Sequence, residues 1–300
     1  MTLAGVRPSR AQLYALLGAM LSFWSANFIF AKFALRELPS VLVVGLRTVL
    51  SGLFMWPVYL FAQDRMERGV KRWTWQDAPR LMTYGVLGVI GNQGLFMIGL
   101  SMTSVAHGSV IVAMGPMFIL AGSSLAGHER LSTAKIAGMA VAAAGVVVMQ
   151  FGRAVSGSPS LRGDVVMLVS VIIFAAYSVL GKKVAAEFGS ITVNTFAFIG
   201  GALVLAPSTL WQAWHFGIDR VSGTAWMGVV YMALFPSIAG YLIYSYALRH
   251  LPASRVSSVT YLQPVVATTL AVVFLREIPA PTFAAGAGLV LTGVYISGRR

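Results

Sequence analysis

The chain has no cysteine and only nine acidic residues in 300. Without cysteine it has no structural disulfide, no thiolate metal site and no cysteine nucleophile. Charge of either sign is scarce: Asp, Glu, Lys and Arg make up 10% of the residues, against roughly 25% in an ordinary soluble domain. The four histidines, at 107, 128, 215 and 250, are far apart, and neither a His-Glu-x-x-His motif nor a Gly-x-Ser-x-Gly elbow occurs. These absences leave an enzyme no recognisable machinery, and no cofactor or metal is expected.

What is present is apolar surface. Hydrophobic residues account for 57% of the chain and mean hydropathy is +0.79, more than one core can hide from water. A membrane helix needs about 20 apolar residues. Runs of that order fall near 11–35, 40–62, 80–101, 105–126, 133–152, 163–182, 190–213, 224–247, 254–275 and 280–298. The expectation is an all-α integral membrane protein with ten transmembrane helices. Arg7 and Arg10 ahead of the first run give the charge order of a signal peptide, but no small-residue cleavage site follows, so this run reads as an uncleaved first helix.

A net charge of +13 would suggest nucleic acid in a soluble protein. Here the Lys and Arg residues lie in short loops between apolar runs, which points to the anionic face of a lipid bilayer instead. With the N-terminus in the cytoplasm, 15 of the 22 fall inside, 6 outside, and Arg47 stays within a span. The positive-inside rule therefore places both termini in the cytoplasm.

The chain also repeats itself. At an offset of 150, Lys32 falls on Lys182, Ser40 on Ser190 and Pro57 on Pro207; at 148, Leu100 meets Leu248, Pro116 meets Pro264, Glu129 meets Glu277, Gly138 meets Gly286 and Gly145 meets Gly293. This divides the chain into a first five-helix unit (1–152), a linker (153–162) and a second five-helix unit (163–300). An odd number of spans turns the second copy upside down. Inverted repeats of this kind characterise secondary transporters with a substrate site between the halves.

The stretches Gly127-His128-Glu129-Arg130-Leu131 through Gly138 to Gly145, and Leu275-Arg276-Glu277-Ile278-Pro279 through Gly286 to Gly293, resemble the two repeats of the EamA branch of the drug/metabolite transporter superfamily. Within that branch the chain is most similar overall to bacterial aromatic amino acid exporters. The resemblance implies an inner-membrane exporter of aromatic and other neutral amino acids. Half-size multidrug members rely on a glutamate in their first helix, where this chain has Trp24, Ser25 and Asn27. That departure argues against drug-cation antiport.

All nine acids fall at span ends or in loops, so no carboxylate marks a proton relay at the midplane. This favours facilitated export, while His107 keeps open a proton-coupled exporter of other small metabolites or drugs. Lys32 and Lys182 are expected to snorkel. Arg47 is left between a substrate carboxylate and Glu37 as its partner. Uncharged polar and aromatic residues within spans must face protein or a wet cavity. On that ground the expected substrate-binding residues are Trp24, Asn27, Asn92, Gln93, Phe96, Met114, Tyr177, Tyr241, Tyr244 and Gln263. Mid-span Pro116 and Pro264 each remove a backbone donor and are expected to act as hinges. Ala134, Gly138 and Ala142, and Ala284, Gly288 and Thr292, read as helix-packing stripes. The expected partners are a small-molecule amino acid and the lipid bilayer, with the chain a monomer or a homodimer.

Overall fold

The computed structural model describes residues 8–66, 69–126, 132–149, 160–251, 256 and 258–298. Residues 153–159 of the expected linker lie outside these, as do residues 127–131. Among the described residues the chain is entirely helical. In chain order the helices are α1 (Arg10–Leu35), α2 (Ser40–Met66), α3 (Ala78–Met102), α4 (Val105–Leu125), α5 (Thr133–Met149), α6 (Leu161–Phe188), α7 (Ser190–Phe216), α8 (Gly223–His250), α9 (Gln263–Leu275) and α10 (Pro281–Gly298). Seven of them, α1–α4 and α6–α8, are long and apolar enough to cross a membrane, while the apolar stretches Thr133–Gly145, Val259–Leu275 and Pro281–Gly293 are shorter.

Serines set several of the helix starts. Ser9 forms a capping box with Gln12, and Ser104, Ser160 and Ser222 each accept a hydrogen bond from the backbone three residues on, at the heads of α4, α6 and α8. Each thereby satisfies a first-turn N–H that has no partner within its helix. Gly189, with φ of +86°, parts α6 from α7.

Helices α1, α3, α4, α6, α8 and α9 pack around the centre, α2 lies along α7, and α5 pairs with α10 at the side. The α5–α10 contact is backbone-close. A Cβ built on Gly145 would stand 2.6 Å from the Gly286 carbonyl oxygen, and one on Gly293 would stand 2.4 Å from that of Gly138. The α10 packing stripe is therefore Gly286, Val290 and Gly293; Ala284, Gly288 and Thr292 are exposed, which corrects the expected phase. On α5, Gly138 and Ala142 are buried as expected, but Ala134 is exposed.

Two spans are not plain α-helices. Leu87–Gly94 in α3 and Ala233–Gly240 in α8 are π-helical, and such wide turns usually occur at functional sites. Nor do Pro116 and Pro264 kink continuous helices. Pro116 lies in the first turn of a new segment, Gly115–Leu125, after a turn at 113–114, and Pro264 starts α9 after a 3₁₀ turn at Ser258–Leu262. A first-turn proline loses no helical hydrogen bond, so these are breaks in the spans rather than bends.

At the end where α2 finishes and α3 starts, Lys71 pairs with Asp77 at 2.7 Å and Arg80 with Glu187 at 2.9 Å. The Lys71 ammonium, with the Thr74 amide, holds the Asp77 carboxyl down at about 2. An unperturbed aspartate titrates near 3.9. The stabilisation is thus complete above about 4 and is lost as pH falls through about 2. Limited proteolysis of the 69–77 loop is expected to quicken across that window, and D77N is expected to remove this pH dependence.

Candidate functional site

The two π-helical segments face a central cavity. The first brings Asn92 and Gln93 to it and the second Pro236, whose carbonyl accepts a hydrogen bond from the Trp24 indole at 3.1 Å. One wall is aromatic: Trp24 meets Phe174 and Tyr241, each with centroids 5.9 Å apart. Tyr241 donates its hydroxyl to Asn92 Oδ1 at 3.1 Å, and Asn92 Nδ2 donates to the Ser170 carbonyl at 2.9 Å. This chain of bonds fixes the wall and ties α3, α6 and α8 together.

Arg47 of α2 also lines the cavity, and it is 2% exposed. It donates to Ser237 Oγ at 2.8 Å, while its Nε has no partner. Among the described residues no carboxylate lines the cavity. Glu37, the alternative partner, instead accepts from the Ser222 amide and hydroxyl at the head of α8, bonds that hold its carboxyl below the usual carboxylate range. Asn27 Oδ1 and Gln263 Oε1 are likewise buried in the lining without partners. Leaving such groups dry and unpaired is costly, so the set has capacity for a polar ligand.

Of the expected binding residues, Trp24, Asn27, Asn92, Gln93, Phe96, Tyr241 and Gln263 line this cavity, as does Pro116. Met114, Tyr177, Tyr244 and Pro264 do not. Met114 packs with Met117 and Phe283. Tyr177 stacks on Tyr84 at 4.4 Å, filling the space that Gly88 leaves open. Tyr244 stands behind Trp24 and donates to Ser178 Oγ at 2.7 Å. Thr260 also lines the cavity, as do Phe174 and Ser170, which sequence reasoning passes over. The same reasoning left Arg47 undecided, although a charged residue well inside an apolar run is itself a signal for a site.

A second polar cluster closes the end where α1, α3 and α9 finish. His107 Nδ1 lies 3.0 Å from Asp164 Oδ2, both side chains are buried, and Thr103 donates its hydroxyl to the other oxygen of Asp164. His107 is therefore not a free interfacial group. Lys32 donates to the Thr103 carbonyl at 2.7 Å rather than reaching only for solvent, whereas Lys182 is exposed. Glu277 Oε2 accepts from the Val105 amide at 2.9 Å, an acid placed at the positive end of α4.

Comparison with known proteins places this geometry among transporters. An uncharacterised transporter of Archaeoglobus fulgidus is 27% identical, covering 96% of this chain and 99% of its own. The uncharacterised inner membrane transporter YedA of Escherichia coli is 25% identical over 86% of this chain and 82% of its own. A probable terminal-alkyne amino-acid exporter of Streptantibioticus cattleyicolor is 29% identical over 77% of each. A crystal structure that is 21% identical covers 97% of both chains with a TM-score of 0.69, a likeness of fold. The profile of the EamA-like transporter family matches twice, over residues 10–151 and 161–299. With nearly its whole length matched, the chain belongs to the EamA-like transporter family.

Proposed function

We propose that this protein exports aromatic and other neutral amino acids by alternating access. The observation that carries the reading is a cavity with an aromatic wall, an arginine without an acid, and amide oxygens without donors. The guanidinium suits the carboxylate end, the amides of Asn27 and Gln263 suit the ammonium end, and Trp24, Phe174 and Tyr241 suit the side chain. The relative named as a probable amino-acid exporter supports the same substrate class.

In this reading ten spans form two inverted five-helix halves, 1–152 and 163–300, joined at 153–162, in a bacterial inner membrane with both termini cytoplasmic. Several structural features recur at the repeat's spacing: the π-helical segments of α3 and α8, the proline-started segments of α4 and α9, and the mutual glycine contacts of α5 and α10. The breaks before Pro116 and Pro264 serve as hinges. Transport is facilitative, and the chain works as a monomer or homodimer.

Uptake of labelled phenylalanine into proteoliposomes tests this. Competition by tryptophan and methionine but not glutamate is expected, and N92A and Y241F are each expected to slow uptake at least tenfold. Unchanged uptake in both variants would overturn the site. A second reading, proton-coupled export of other small metabolites or drugs, is favoured by the buried His107–Asp164 pair. An imposed pH gradient that drives uptake in the wild type but not in H107Q would select it.

A further inference from the structure

The charge inventory of the cavity goes beyond an amino acid site. Of the described side chains that line it, Arg47 is the one that carries a fixed charge, since guanidinium stays protonated in proteins. Its environment supplies one hydroxyl, that of Ser237, and an open Nε. A bound monocarboxylate neutralises it with charge-assisted hydrogen bonds. A zwitterion brings the same carboxylate but leaves the occupied cavity with a net positive charge and an ammonium facing amide oxygens alone. A cationic ligand without a carboxylate meets an uncompensated like charge in a dry site, the least favourable case.

The amide oxygens of Asn27 and Gln263 are acceptors for any donor. A neutral N–H or O–H satisfies them as well as an ammonium does, without its desolvation cost. We infer that the cavity recognises aromatic monocarboxylates as a class, for which the ammonium group is dispensable. Aryl-alkanoates, aromatic 2-hydroxy acids and N-acylated aromatic amino acids then belong to the substrate range alongside the amino acids themselves. Arg47 is the residue that sets this specificity. The inference rests on the same cavity as the proposed function but does not require that amino acids be its substrates.

Calorimetric titration of the purified full-length chain with three ligands separates the two. The ligands are phenylalanine, 3-phenylpropanoate, which lacks the ammonium, and 2-phenylethylamine, which lacks the carboxylate. The expected result is that 3-phenylpropanoate binds at least as tightly as phenylalanine and at least thirtyfold more tightly than 2-phenylethylamine. R47Q is expected to weaken 3-phenylpropanoate at least thirtyfold, with R47K recovering part of the loss. Binding of 3-phenylpropanoate without phenylalanine would overturn the amino acid reading and leave this inference standing. Binding of phenylalanine without 3-phenylpropanoate would do the reverse. Equal affinity for 2-phenylethylamine, an unchanged R47Q, or no binding by any of the three would overturn the inference. The wild-type ligand series decides the question even if R47Q does not fold.

Discussion

Replacing Asp164 with alanine is expected to lower the stability of the folded chain by roughly 2–6 kcal/mol, at about 1–3 kcal/mol for each of the two buried polar partners left unsatisfied. Asp164 is 4% exposed and sits in the first turn of α6. One of its oxygens faces His107 on α4 and the other takes the hydroxyl hydrogen of Thr103, in the short connection between α3 and α4. Alanine would leave an imidazole and a hydroxyl dry and unpaired where three helix ends meet. It would also remove a negative charge from the positive end of α6. D164N is expected to cost less, because its amide oxygen can still accept from Thr103. Thermal unfolding in detergent, followed by tryptophan fluorescence, measures both. A midpoint unmoved in D164A would mean that water already satisfies these groups.

The second large effect is expected at Gly293. Valine there is expected to cost about 3 kcal/mol, the upper part of the range for overfilled contacts. Its Cβ would fall 2.4 Å from a backbone carbonyl oxygen and 2.5 Å from the Ala142 nitrogen, atoms that cannot rotate away. Either α10 retreats from α5 along its length or the pair comes apart. G288V is the control, since nothing lies within 4 Å of a Cβ at that position, and it is expected to shift stability by under about 0.5 kcal/mol. Equal losses in the two variants would mean that valine's effect on helix formation, rather than the helix contact, is being measured.

The contrast between these two glycines also shows how far the sequence could be read. Hydropathy located the helices because length in lipid is a strong constraint. It did not orient them. In a membrane protein the side facing lipid is as apolar as the side facing the core, so α10, rich in glycine and alanine all round, offers two equally plausible stripes. The structure buries the one through Gly286, Val290 and Gly293. The same ambiguity explains Tyr177 and Tyr244, which are as polar as Tyr241 but have their hydroxyls turned into the protein rather than the cavity. The amides fared better: Asn27, Asn92, Gln93 and Gln263 are hard to bury without a reason, and all four line the cavity. The π-helical segments coincide with Gly88, Gly91 and Gly94 in α3 and with Pro236 and Gly240 in α8, residues that read in the sequence as sites of close helix approach but do not by themselves specify the wider hydrogen-bonding pattern.

Arg47 reaches Ser237 near the middle of α8, so its charge sits deep in the transmembrane electric field. Empty, the cavity holds one positive charge; with a monocarboxylate bound it holds none. Carrying one elementary charge through the full field is worth about 2.3 kcal/mol per 100 mV. In a cell with a negative interior, the voltage therefore leaves the loaded carrier alone and pulls the empty one back toward the cytoplasm. For the monocarboxylate cargo inferred above, each cycle would export one anion, and the return stroke would draw its driving force from the membrane potential without a second ion. A zwitterionic cargo leaves the charge equal on both strokes, and the cycle then gains nothing from voltage.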